Sequence, residues 1–121
     1  MKVYQSHEIK NIALLGSKGS GKTTLAEAML FECGVIKRRG TVLGKNTVSD
    51  YFPVEKEYGY SVFSTVFYAE FLNKKLNVID CPGADDFLGS AITALNVTDT
   101  GVIVVNAQYG VEVGTQNIFR T

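Results

Sequence analysis

Residues 16 to 23 read Gly-Ser-Lys-Gly-Ser-Gly-Lys-Thr, and no other stretch constrains the fold so strongly. The order G-x-x-x-x-G-K-S/T is meaningful when a strand leads into it and a helix leaves it. Both flanks are present: Asn11-Ile12-Ala13-Leu14-Leu15 is an apolar run, and Lys22 to Phe31 reads as a helix. Glycines let the backbone come close to phosphate. Successive N–H groups form a concavity that favours an anion, and the helix start adds the positive end of its dipole. Ser17, Lys18, Gly19, Ser20, Gly21, Lys22, Thr23 and Thr24 are therefore candidate nucleotide-binding residues. Lys22 is expected to reach the β and γ phosphates and the Thr23 hydroxyl to hold Mg²⁺.

The rest of the chain supplies a matching pattern. Ile9 to Leu15 reads as a buried parallel strand and Lys22 to Phe31 as a helix stopped by Cys33-Gly34. Gly40 to Tyr60 is a long irregular stretch, a length that is usually functional or disordered. Ser61 to Phe71 and Leu76 to Asp80 read as two strands joined by a hairpin turn at Asn73-Lys74-Lys75. A second helix is expected from Phe87 to Leu95, a buried strand from Gly101 to Val105 and a third helix from Val113 to Arg120. This order predicts an α/β P-loop NTPase fold. Its sheet is doubly wound and mostly parallel, with one antiparallel hairpin edge strand.

A carboxylate completes the phosphate site. Asp80 ends an apolar strand and is followed by Cys81-Pro82-Gly83. Alone it reads as an ordinary strand-end residue. With the phosphate loop upstream it falls at the sheet edge where nucleotides bind, beside the Mg²⁺ of Thr23. The Gly83 N–H is placed to contact a γ phosphate. Ser61 closes the long irregular stretch, and from spacing alone it reads equally well as a third Mg²⁺ ligand or as a strand-entry serine.

Composition narrows the partners. Twelve basic and twelve acidic residues give a net charge of 0, so a strong sequence-independent grip on nucleic acid, and direct DNA binding, are not expected. Cys33 and Cys81 form neither a metal spacing nor a disulfide framework. The polar segment Met1 to Lys10 is no secretory signal, no run has the length of a membrane span, and a cytoplasmic home is expected. His7, the single histidine, sits in that polar lead-in and reads as a solvated residue. Lys37-Arg38-Arg39 reads as a solvated loop, with RNA contact as the alternative.

The motifs, in this order, resemble the GTPase domain of translational GTPases, with elongation factor G and its ribosomal-protection relatives the most similar. That family opens with Arg-Asn-Ile-Gly and runs to Gly-Lys-Thr-Thr; here Lys10-Asn11-Ile12-Ala13 runs to Gly21-Lys22-Thr23-Thr24. Its Glu-Arg-Gly-Ile-Thr-Ile switch segment appears as Glu57-Tyr58-Gly59-Tyr60-Ser61-Val62, which aligns Ser61 with the family's Mg²⁺-binding threonine. Asp-Thr-Pro-Gly-His appears as Asp80-Cys81-Pro82-Gly83-Ala84, and Asp-Ala-x-x-Gly-Val as Asn106-Ala107-Gln108-Tyr109-Gly110-Val111. The resemblance implies GTP or GDP as ligand, Mg²⁺ as cofactor, a nucleotide-driven switch and a ribosomal role for the full-length protein. Residues 1–121 would be a partial G domain, ending before the last strands and the guanine-reading Asn-Lys-x-Asp motif.

The departures bear on chemistry. Ala84 stands where the family has its catalytic histidine, Gly19 replaces an aspartate of the phosphate loop, and Tyr58 and Tyr60 replace the arginine and isoleucine of the switch. A methyl group cannot orient water, so weak hydrolysis is expected and no residue is assigned a catalytic role. Two alternatives stay open: a GTP-binding regulatory module without turnover, and an unrelated P-loop ATPase or small-molecule kinase.

Overall fold

The computed structural model describes residues 2–38, 40, 64–83 and 88–121. A single 3₁₀ turn, Ser6–Glu8, precedes strand β1, Ile9–Leu15. Helix α1 is Lys22–Glu32, strands β2 and β3 are Thr65–Phe71 and Lys74–Asp80, and helix α2 is Leu88–Val97. Strand β4, Thr100–Ile103, and helix α3, Val113–Arg120, complete the order. The expectations placed on 41–63, Ser61 included, and on Ala84 and Phe87 lie outside the described residues.

The sheet order is β2-β3-β1-β4. β1 runs parallel to β3 from Ile9↔Lys75 to Leu14↔Asp80, and parallel to β4 from Ile12↔Thr100 to Leu15↔Ile103. Among the described strands only β2 is antiparallel, pairing Thr65↔Asp80 through Phe71↔Lys74. Alternation along β1 sends its side chains into two cores. Ala13 and Leu15 pack with Cys81, Ala91, Ala94 and Ile118, under α2 and α3. Leu14 packs with Ala26 and Val78, under α1. Helices therefore cover both faces, which is why β1 is almost continuously apolar at its end. At the opposite end, the Asn11 N–H and side-chain amide both donate to Asp99 Oδ2 at 3.2 Å, and Asn77 Nδ2 donates to Asn11 Oδ1 at 3.0 Å. These bonds tie the strand starts together in register.

Several boundaries differ from the sequence reading, the end of β4 at Ile103 and not Val105 among them. The hairpin turn is Leu72–Asn73, not Asn73 to Lys75, and Lys74 already pairs with Phe71. Both turn residues have positive φ, 48° at Leu72 and 61° at Asn73. Positive φ at both central positions is the two-residue hairpin solution whose twist suits the strands. Asparagine enters that region readily and leucine does not, so local propensity hides this turn, and strand pairing overrides it. α2 continues two residues past Leu95, to Val97, and β4 begins one residue before Gly101. No helix among the described residues is long and apolar enough to cross a membrane.

Candidate nucleotide-binding site

Parallel pairing brings the carboxyl ends of β1, β3 and β4 to one edge, the place where open α/β sheets bind ligands. The loop after β1 turns sharply there. Gly16 has φ +146°, and a Cβ on it would lie 2.4 Å from the Val104 carbonyl oxygen and 2.8 Å from Ser20 Oγ. The approach to the Val104 backbone leaves room only for hydrogen. Gly21 takes a left-handed φ of 102° and starts α1, with Leu25 N–H bonded to its carbonyl at 2.9 Å. The loop is closed by Ser20 N–H on Ser17 O at 3.1 Å.

Lys22 is the first helical residue and only 6% exposed. Its ammonium folds back over the loop, donating to Gly16 O at 3.2 Å, Ser17 O at 3.1 Å and Ser20 Oγ at 3.5 Å. Thr23 is buried beside it, and its hydroxyl donates to Asp80 Oδ2 at 3.3 Å. Asp80 is 1% exposed, placed by its register opposite Leu14. Gly83 lies against the same loop: a Cβ there would be 2.4 Å from Lys22 Nζ and 3.0 Å from both Gly16 O and Lys18 N. The sequence-selected Lys22, Thr23, Asp80 and Gly83 are thus gathered around one concavity. Lys18 and Gly19 are exposed on the loop, Thr24 is exposed on α1, and Ser17 is buried in the loop. The intervening Cys81 sits in the core at 1% exposure. Burial, followed by the nearby Asp80 charge, pushes its thiol from the ordinary 9.0 up to about 11.

Three contacts escaped the sequence reading, the first two of them at the loop. Glu112, the N-cap of α3, receives a 2.5 Å hydrogen bond from Ser17 Oγ. It borders a groove of about 540 Å³ together with Ser17, Lys18 and Gly83. Asn106, quoted above only for its motif, donates its side-chain amide to Gly19 O at 3.1 Å. Glu27, buried on α1, accepts the Gly40 N–H at 2.9 Å. The first two contacts span 95 and 87 residues. No local signal marks them.

A doubly wound sheet with a glycine–lysine loop at the carboxyl edge of its central strand defines the P-loop nucleotide-binding class. Within that class, residues 7–121 match the family described as Elongation factor Tu GTP binding domain, and the chain belongs to that family. It is 36% identical over 115 residues to peptide chain release factor 3 of Staphylococcus aureus (strain JH9), covering 92% of this chain and 22% of that protein. Release factor 3 of Macrococcus caseolyticus (strain JCSC5402) is 37% identical over the same length and shares. Among solved structures, a Thermus thermophilus protein superposes with a TM-score of 0.89 at 38% identity, covering 93% of this chain and 17% of that one. A bacterial selenocysteine-specific elongation factor gives 0.68 at 27% identity, covering 90% and 16%. The chain therefore spans about a fifth of the curated relatives it matches. The family sets aside an unrelated ATPase or kinase.

Proposed function

We propose that this chain is the guanine-nucleotide-binding part of an elongation factor G-like translation factor. In it, bound GTP or GDP acts as a Mg²⁺-dependent switch read out through the ribosome. The observation that carries the proposal is the Lys22 ammonium buried in the loop mouth, 2.4 Å from where a side chain on Gly83 would begin. Cation, backbone N–H groups and an unobstructed glycine converge where β and γ phosphates would lie. The family match and the relatives' names support the translational role.

The oxygen donors fit a hard divalent cation. The Thr23 hydroxyl and the Asp80 carboxylate are adjacent, and Mg²⁺ is held by one or two such groups plus phosphate oxygens and water. Bound there, Mg²⁺ would supply charge neutralisation at the phosphates. Ser61 would add a further hydroxyl, on the strength of the switch-segment resemblance. The protein's own contribution is to bind and orient: the loop N–H groups hold the phosphates, and Lys22 balances their charge.

Turnover is the weak element. Ala84 replaces the group that positions the attacking water in the family this chain resembles. Orientation and charge stabilisation supply most of the catalysis of phosphoryl transfer. This one residue favours a second reading, a regulatory module that binds GTP without hydrolysing it at a useful rate. Competition of GTP against ATP on the full-length protein with Mg²⁺ tests the first claim, and equal displacement by ATP overturns it. Single-turnover hydrolysis with ribosomes separates the two readings.

A further inference from the structure

We propose that Asn106 and Glu112 are positioning residues that brace the phosphate loop in its binding-ready shape, an inference that rests on the nucleotide reading above. They lie on the segment between β4 and α3. Asn106 Oδ1 accepts the backbone N–H of Gln108 at 2.8 Å and of Tyr109 at 3.2 Å. The turn is closed by Gly110 N–H on Asn106 O at 2.8 Å. Two N–H donors at one end of the side-chain amide identify that end as oxygen. The other end is therefore NH₂, and it donates to Gly19 O at 3.1 Å. Glu112 grips the other side of the loop, at Ser17 Oγ, 2.5 Å away. It is itself fixed, because its N–H donates to Thr115 Oγ1 at 3.3 Å as part of a reciprocal capping box on α3.

The two contacts flank Lys18. The stretch Ser17 to Gly19 carries N–H groups that must converge on phosphate, yet it has no helix or strand to hold it. Left alone it would lose conformational freedom on binding. A brace made at folding removes part of that cost, and affinity rises accordingly. The two residues also differ in kind. Asn106 needs its donor, so the aspartate that the resembling family carries here would turn an acceptor towards the Gly19 carbonyl. Glu112 needs only an acceptor.

Asn106→Asp keeps the oxygen that holds the turn and removes the NH₂ that holds Gly19. In the full chain, this variant should exchange the loop amides of residues 17–21 faster than wild type in the absence of nucleotide. It should bind GDP about 2- to 10-fold more weakly, the range expected for one net hydrogen bond. Glu112→Ala should do the same, whereas Glu112→Gln, which keeps an acceptor for Ser17, should stay near wild type in both measurements. Unchanged loop exchange in Asn106→Asp overturns the brace, whether or not nucleotide binds. Faster exchange with unchanged GDP affinity overturns the positioning role. A wild type that binds neither GDP nor GTP would sink the nucleotide reading and the positioning role together, while the exchange data would still report on the contact itself.

Discussion

Adding one methyl group at Gly83 tests the geometry of the phosphate site most directly. Gly83 does not have the positive φ seen at Gly16, Gly19 and Gly21, so alanine suits its backbone and the perturbation is purely one of contact. The new Cβ would lie 2.4 Å from Lys22 Nζ and 3.0 Å from Gly16 O and Lys18 N. Carbon and its non-bonded neighbours settle at roughly 3.5 to 4.0 Å. The severe clash is with the end of a flexible side chain, so the ammonium moves furthest and the two backbone atoms give by a few tenths of an ångström at most. A charge-assisted contact of that kind is worth about 1.5 to 3 kcal/mol, or about 10- to 150-fold in affinity. Gly83→Ala should weaken GDP and a non-hydrolysable GTP analogue by factors in that range, the analogue more than GDP. The melting temperature without nucleotide should change little, because the added methyl faces Lys22, Gly16 and Lys18 and not Ala91 and Ile118, the core residues that Gly83 also borders. Calorimetric titration of the full-length protein with both nucleotides gives the answer. Affinities within about twofold of wild type for both would show that Lys22 and Gly83 do not share the phosphate end.

Asp80→Asn keeps an oxygen for Thr23 but discards the charge. It should raise the Mg²⁺ concentration needed for half-maximal triphosphate binding by about tenfold or more, read by titrating Mg²⁺ at fixed nucleotide. Ala84→His should raise single-turnover hydrolysis on ribosomes by on the order of 10²-fold, and a wild type already as fast as its histidine-bearing variant would remove Ala84 from the argument. The Cys81 thiol, pushed up to about 11 by burial, should resist iodoacetamide at about pH 8 in the native protein while the more accessible Cys33 reacts. The same shift makes a sign-definite stability claim. Between about pH 9 and 11 the unfolded thiol releases its proton before the folded one, so stability falls as pH rises through that window. Equal labelling of the two cysteines would contradict the burial of Cys81.

The phosphate loop, its two flanking elements and Asp80 were legible in the sequence because each is encoded locally. Gly16, Gly21 and Lys22 announce themselves by spacing, and the apolar run from Ile12 to Leu15 fits a strand buried on both faces. The hairpin turn was misplaced because Leu72 adopts a φ of 48° that its side chain disfavours. The register of Lys74 and Lys75 in β3 decides the matter, and register is a pairing property that no single residue carries. Asn106 and Glu112 were out of reach for a different reason. Their roles are set by partners far away in the chain, at Gly19 and Ser17. Asn106 entered the sequence reading only as the first residue of a family motif, and Glu112 did not enter it.

Those long spans also set an order of events during synthesis. The loop at Gly16 to Thr23 leaves the ribosome ahead of its supports: Val104, against which Gly16 turns, and Glu112, which holds Ser17, follow 88 to 95 residues later. At about 5 to 20 residues per second, the nascent loop waits roughly 5 to 20 seconds for its supports. During the first part of that interval β1 has neither of its parallel neighbours, since both β3 and β4 are still to come. The most recognisable motif in the chain is thus made well before the residues that hold its shape.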